Sequence, residues 1–319
     1  MKRLLRIGTR GSKLALAQAT EVQQALEKAH PGLICELVIL KTSGDDFTAW
    51  KDKPGKGQVP LKGLFVKEIE EALLENRIEL AVHSVKDLQP QLPKGLLIAA
   101  VLKRQDPRDA LVSRDGKNLA GLAANTRVGV SSLRRRAQLK RLRRDLEFLP
   151  VRGNVDTRLR KMDANEYGAL VLAACGLIRL GLEKRISERF DPATMVPSPG
   201  QGALGVEIRE DNQEVAQFLQ PINDPDSHIE VTAERAFLKA LGGGCSVPVG
   251  ALARAQHENM TLTGVVLSPD GLKAVRKQIS GSRQAAERLG IELASHLRAA
   301  GADRLLYGHW AEKSKKAGV

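Results

Sequence analysis

One of the chain's three cysteines stands in the stretch GGGCSVPVG, residues 242–250, directly after three glycines. Glycine runs are costly to order and are kept where the backbone turns tightly or comes close to another group. Cys245 is therefore the cysteine placed for chemistry, since a nucleophilic thiolate needs access. A second cluster is HSVKD, residues 83–87. His83, Ser84, Lys86 and Asp87 crowd titratable groups together, which can tune a carboxylate for acid–base work or for stabilising a cation; the alternative is a solvated turn with a Lys–Asp surface pair. Arginines form the third group: Arg10 in TRGS, Arg134 and Arg135 in SSLRRR, and Arg152 and Arg158 in VRGNVDTR. Arginine grips carboxylates through two parallel hydrogen bonds. Several around one cleft imply a ligand with several carboxylates or phosphates.

The elements that must hold these residues alternate. Apolar runs predict strands at 4–8, 34–40, 78–83, 96–102, 109–113, 127–130, 147–151 and 168–174. Helical spacing appears at 12–29, 64–76, 132–144 and 154–163. Such alternation predicts α/β architecture, two similar and mostly parallel sheets facing a cleft. Each cluster except the cysteine follows a strand directly, where open parallel sheets bind ligands. Ser12 opens a helix, so an anion is favoured beside it. Residues 43–63 read as a long functional lid. After the breaker-rich PSPGQG (197–202), a helix at 228–241, β segments at 259–267 and 272–280 around an SPDG turn, and a helix at 283–299 predict a smaller α+β domain. The tail EKSKKAGV is expected to fray.

Composition narrows the function classes. The 319 residues exceed one ordinary core, and 42% hydrophobic content suits a globular protein. No apolar run approaches a membrane span, and the start MKRLLRIGTRGSK lacks a secretory h-region, so a cytoplasmic protein is expected. Cysteines at 35, 175 and 245 offer neither a disulfide framework nor a structural zinc site; Cys35 and Cys175 sit in apolar runs and read as packing residues. The net charge of +13 calls for an anionic partner. Residues 134–144 alone hold seven basic side chains and no acid. Nucleic acid is one such partner, but the 3% aromatic content argues against stacking platforms. A solute-binding protein is the other rival class, opposed by the missing signal and the cysteine loop.

The motifs IGTRGSKLALAQA, KGLFVKEIEEALL, AVHSVKD, DPRDALVS, SSLRRR, VRGNVDTRL, GLIRLGL, PGQGALG, VTAERAFL and GGGCSVPVG occur in the order found in the porphobilinogen deaminase, or hydroxymethylbilane synthase, family. The resemblance spans about residues 4–300. It implies a transferase that joins porphobilinogen units head to tail with loss of ammonia, primed by a dipyrromethane held as a thioether on Cys245. It assigns catalysis to Asp87. Substrate and cofactor binding falls to Arg10, Ser12, Lys62, Ser84, Lys86, Ser131, Ser132, Arg134, Arg135, Arg152, Gly153, Arg158, Arg179 and Gln201; no metal is implied. It also implies a periplasmic-binding-protein-like arrangement: domain 1 from 1–102 and 200–220, domain 2 from 105–196, and a third domain from 222–319 carrying the cysteine loop. Porphobilinogen is the expected partner, with neither nucleic acid nor membrane, and a monomer is expected. Gln58 and Val130 depart from the family's common lysine and threonine.

Overall fold

The computed structural model describes residues 4–42, 66–242 and 248–306. Lys62, Cys245, the 43–63 segment and the basic tail lie outside the described residues.

In chain order the elements are β1 (Leu4–Thr9), α1 (Lys13–Ala29), β2 (Ile34–Ile39), α2 (Lys67–Leu74), β3 (Leu80–Ser84), β4 (Leu96–Val101), β5 (Asp109–Ser113), β6 (Arg127–Gly129) and α3 (Leu133–Leu142). Next come β7 (Glu147–Leu149), α4 (Val155–Asp163), β8 (Ala169–Ala173), α5 (Ala174–Arg179), β9 (Glu188–Arg189), β10 (Leu204–Arg209) and α6 (Gln213–Leu219). The chain continues through α7 (Pro225–Ala240), β11 (Val249–Gln256), β12 (Asn259–Leu267), β13 (Ala274–Ser282) and α8 (Ala286–Ala299). It divides into two compact units, residues 1–105 with 202–228, and residues 106–201 with 229–319.

In the first unit the sheet runs β2-β1-β3-β10-β4. β1 pairs in parallel with β2 and β3, while β10 runs antiparallel to both β3 and β4. One face packs Leu5, Ile7, Leu80, Val82 and Val206 under α1, whose Ala19, Val22 and Leu26 repeat at helical spacing. On the other, Ile69, Ala72 and Leu73 of α2 cover Ile78 and Ala81.

The second unit repeats this plan in the order β7-β6-β8-β5-β9. Here β6 is parallel to β7 and β8, and β5 is antiparallel to β8 and β9. Leu111 and Val171 enter one core and Ala110, Val112, Leu170 and Leu172 the other, so alternate residues of β5 and β8 are buried on both faces. The expectation of two similar, mostly parallel sheets holds, with one reversed strand in each.

A third sheet, β11-β12-β13, is antiparallel throughout. Phe237 of α7 and Leu293 and Leu297 of α8 fill its buried face. The SPDG turn joins β12 to β13 as predicted, with Gly271 at φ +77°. β11 was not foreseen. Its outward N–H groups are covered: Ala251 N donates to the Pro197 carbonyl at 3.0 Å, Ala253 N to Glu234 Oε1 at 2.8 Å and Ala255 N to Glu230 Oε1 at 3.0 Å. An edge that would otherwise stay open is thereby satisfied.

Candidate active site

In the first unit, β1 and β3 are parallel neighbours, so their carboxyl ends lie side by side. Arg10 and Ser12 follow β1, and Ser12 caps α1, its Oγ accepting from Ala15 N at 3.2 Å. No acid occupies the first turn of α1, which leaves the positive end of the helix unneutralised. Ser84 ends β3, its Oγ accepting from Gln18 Nε2 of α1 at 2.8 Å. That bond ties the two loops together. A single 3-10 turn, Val85–Asp87, follows. Val85 is buried and its N–H donates to Ala203, whereas Asp87 is exposed. Among the described residues the Asp87 carboxylate has neither a hydrogen bond nor an ion pair, so no Lys86–Asp87 surface pair forms. His83 points the other way. It is buried, with Nε2 2.9 Å from Glu207 Oε2.

The second unit sets three loops at the carboxyl ends of adjacent parallel strands β7, β6 and β8. Ser131 and Ser132 follow β6. Ser131 Oγ donates to the Val151 carbonyl and accepts from Val151 N, clasping the β7 loop. Ser132 caps α3, whose first turn also lacks an acid. After β7, Arg152 is exposed with no partner among the described residues. Gly153 turns at φ +108°, and a Cβ there would lie 2.7 Å from Thr157 Cγ2, so the tight entry to α4 requires glycine. Arg158 Nε donates to the Gly153 carbonyl at 2.7 Å. Arg179 ends α5, the short helix after β8, and is half-buried.

Arg134, Arg135 and Gln201 are placed differently from the exposed Arg152. Both guanidiniums are buried against Asp109, which begins β5 and is fully enclosed. Arg134 Nη1 and Nη2 lie 2.6 and 3.1 Å from its two oxygens, and Arg135 Nε lies at 2.7 Å. Gln201 Nε2 adds a bond to the same carboxylate at 2.9 Å and another to the Pro107 carbonyl at 2.7 Å. Burial alone would raise the pKa of Asp109. The two guanidiniums outweigh it and hold the carboxyl far below the usual carboxylate range.

Either side of Cys245, the flanks are fixed. Glu234 on α7 accepts from Gly200 N at 2.5 Å as well as from Ala253 N, joining the PGQG loop to β11. Gly250 lets β11 pass close to residues 196–197, where a Cβ would meet the Val196 carbonyl at 2.9 Å. Cys35 and Cys175 are buried packing residues, as expected; burial, then Glu27, pushes the Cys35 thiol up to about 11. No group of side chains suited to a metal occurs among the described residues. Position after a strand singles out Asp87 and the loop arginines as candidates. Position does not single out the buried acids Asp109, Glu207 and Glu234, whose only signal is a charged residue inside or beside an apolar run.

A family profile described as "Porphobilinogen deaminase, dipyromethane cofactor binding domain" matches residues 5–217, and one for the "Porphobilinogen deaminase, C-terminal domain" matches 228–299. The "Porphobilinogen deaminase" of Syntrophobacter fumaroxidans is 47% identical over 95% of this chain and 97% of its own. That of a Roseiflexus species is 49% identical over 97% of this chain and 100% of its own. Among solved structures, the Bordetella pertussis BvgS periplasmic VFT2 domain is similar at a TM-score of 0.40 and 13% identity, covering 69% of this chain and 86% of that one.

Proposed function

The chain belongs to the porphobilinogen deaminase family, and from that premise we propose how its own residues carry the reaction. The enzyme joins porphobilinogen units head to tail into hydroxymethylbilane, releasing ammonia at each addition, and works with a dipyrromethane cofactor. When bound, that cofactor supplies the primer whose free α-carbon accepts the first unit.

One observation carries the assignment of chemistry to Asp87: an exposed carboxylate, unpartnered among the described residues, at the end of a buried strand. Loss of ammonia leaves porphobilinogen cationic. A fixed carboxylate beside the forming cation lowers its energy, most of all where water is excluded. Asp87 also can accept from a pyrrole N–H and so orient the ring. Lys86 and Ser84 stand beside it.

Pyrroles bearing acetate and propionate groups present many carboxylates. The residues present fit such a group: acid-free starts of α1 and α3, an unpartnered Arg152, and Arg158 and Arg179 on neighbouring loops. We assign carboxylate binding to Arg10, Ser12, Ser84 and Lys86 in the first unit, with Lys62. In the second it falls to Ser131, Ser132, Arg152, Gly153, Arg158 and Arg179. Arg134, Arg135 and Gln201 belong to the same assignment, with Asp109 holding both guanidiniums in one orientation. Cys245, which falls between α7 and β11 in the sequence, is the proposed point of attachment.

The three sheets, each with its own core, support a three-part division at 1–102 with 200–220, 105–196 and 222–319. Among the described residues no helix is long and apolar enough to cross a membrane. We place the enzyme in the cytoplasm as a monomer.

Asp87→Asn tests the central role, because it keeps shape and removes charge. We expect KM for porphobilinogen to change little and kcat to fall about 10²–10³-fold. Near-normal turnover removes Asp87 from this role.

A further inference from the structure

Three buried titratable groups in the first unit have no part in the chemistry assigned so far: Glu70 on α2, His83 on β3 and Glu207 on β10. Each is under a tenth exposed. His83 Nε2 lies 2.9 Å from Glu207 Oε2, and neither Glu207 oxygen receives a directed hydrogen bond. The strand register accounts for the pair. Glu207 stands opposite Ala81 and Gly205 opposite His83, so imidazole and carboxylate are diagonal neighbours on one face. Glu70 faces them from α2. Burial, then Glu207, pushes its pKa up to about 7, with His83 pulling the other way.

Other charged groups stand on the elements packed here, Lys67 of α2 among them, 3.7 Å from Glu71. Glu68 and Glu71 share α2 with Glu70. Arg209 of β10 donates to the Leu73 carbonyl and pairs with Asp211, and Arg6 of β1 pairs with Glu79. Two carboxyl groups thus confront one imidazole away from water.

We propose that Glu70 and Glu207 clamp His83, fix the end of β3, and make Glu70 a positioning residue for Asp87. The proposal rests on the role given to Asp87 above. Its geometry is direct: Ser84 is held on the opposite face by Gln18, and Asp87 follows after one tight turn. A swing of the His83–Ser84 step is therefore passed to the carboxylate, and a misplacement of about 1 Å can cost around a hundredfold in rate. Ionising Glu70 sets a second negative charge beside Glu207 and pushes α2 away from that step.

For an acid whose folded-state pKa is raised, stability is greatest below its unfolded value, near 4.3, and is lost as pH rises through about 7. The test compares Glu70→Gln with wild type as cofactor-loaded enzymes. From about pH 6 to about pH 8, wild-type kcat should fall by up to about tenfold relative to the variant, at matching KM, following the fraction of Glu70 still protonated. The urea midpoint of wild type should fall with pH across the same window while that of the variant stays level. Coincident kcat–pH profiles overturn the proposal, even if the stability profiles differ, since the cluster would then titrate without positioning anything. Near-normal turnover in Asp87→Asn strikes the earlier reading instead, and leaves the stability comparison standing.

Discussion

Replacing Asp109 by Asn should destabilise the second unit severely. The carboxylate is fully enclosed and takes two bonds from Arg134, one from Arg135 and one from Gln201. Asparagine retains one acceptor oxygen and turns an NH2 group toward guanidinium donors. Two buried cations then lose their counter-ion, a change that typically costs about 3–5 kcal/mol. Against a net stability of roughly 5–15 kcal/mol this is a large fraction. Equilibrium urea unfolding followed by circular dichroism measures it. A loss under about 1 kcal/mol would refute the idea that Asp109 neutralises both arginines. A companion variant, Asp109→Leu with Arg134→Met and Arg135→Leu, removes the stranded charges and should recover most of the stability while losing activity. The pH dependence has a definite sign. Because the folded-state pKa is depressed, the contribution is complete above the unfolded value of about 3.9 and is lost as pH falls below it. Wild type should weaken in that acid range more steeply than Asp109→Asn.

Arg152→Leu should leave the unfolding midpoint within about 0.5 kcal/mol of wild type, since the side chain is exposed and unpartnered among the described residues. Its KM for porphobilinogen should rise roughly ten- to a hundredfold, the loss of one charge-assisted bond; an unchanged KM would place Arg152 outside the binding set. Gly250→Ala should cost about 1–3 kcal/mol, because the added Cβ meets the Val196 and Pro197 carbonyls at 2.9 and 3.0 Å. Thermal unfolding that matches wild type would show that β11 can move aside freely.

Much of this fold is legible in the sequence because its strands are short apolar runs bounded by polar turns. DALVS at 109–113 is a strand to the residue, and GALVLAA contains β8. Direction was harder to read. β5 and β10 are buried on both faces, and such runs look alike whichever way they point. β11 was hidden by its start in VPVG, where proline and glycine suggest a loop; its edge is completed by glutamates on α7, which local sequence does not reveal. The loop residues that follow strands could be picked out by position alone. Whether an arginine faces solvent or a buried acid could not: Arg134 and Arg152 both follow strands, yet only the first meets Asp109. The charge within LGVEIR was the one visible hint that Glu207 has a buried partner.

The proposed chemistry depends most on a covalent primer at Cys245 that porphobilinogen extends. Intact-mass spectrometry of the purified enzyme, with peptide mapping, addresses it directly. The protein should exceed its 34.6 kDa sequence mass by one dipyrromethane located on Cys245, and should gain further pyrrole units stepwise when porphobilinogen is added. A bare Cys245 thiol, in a protein whose mass stays the same when porphobilinogen is added, would rule out that primer.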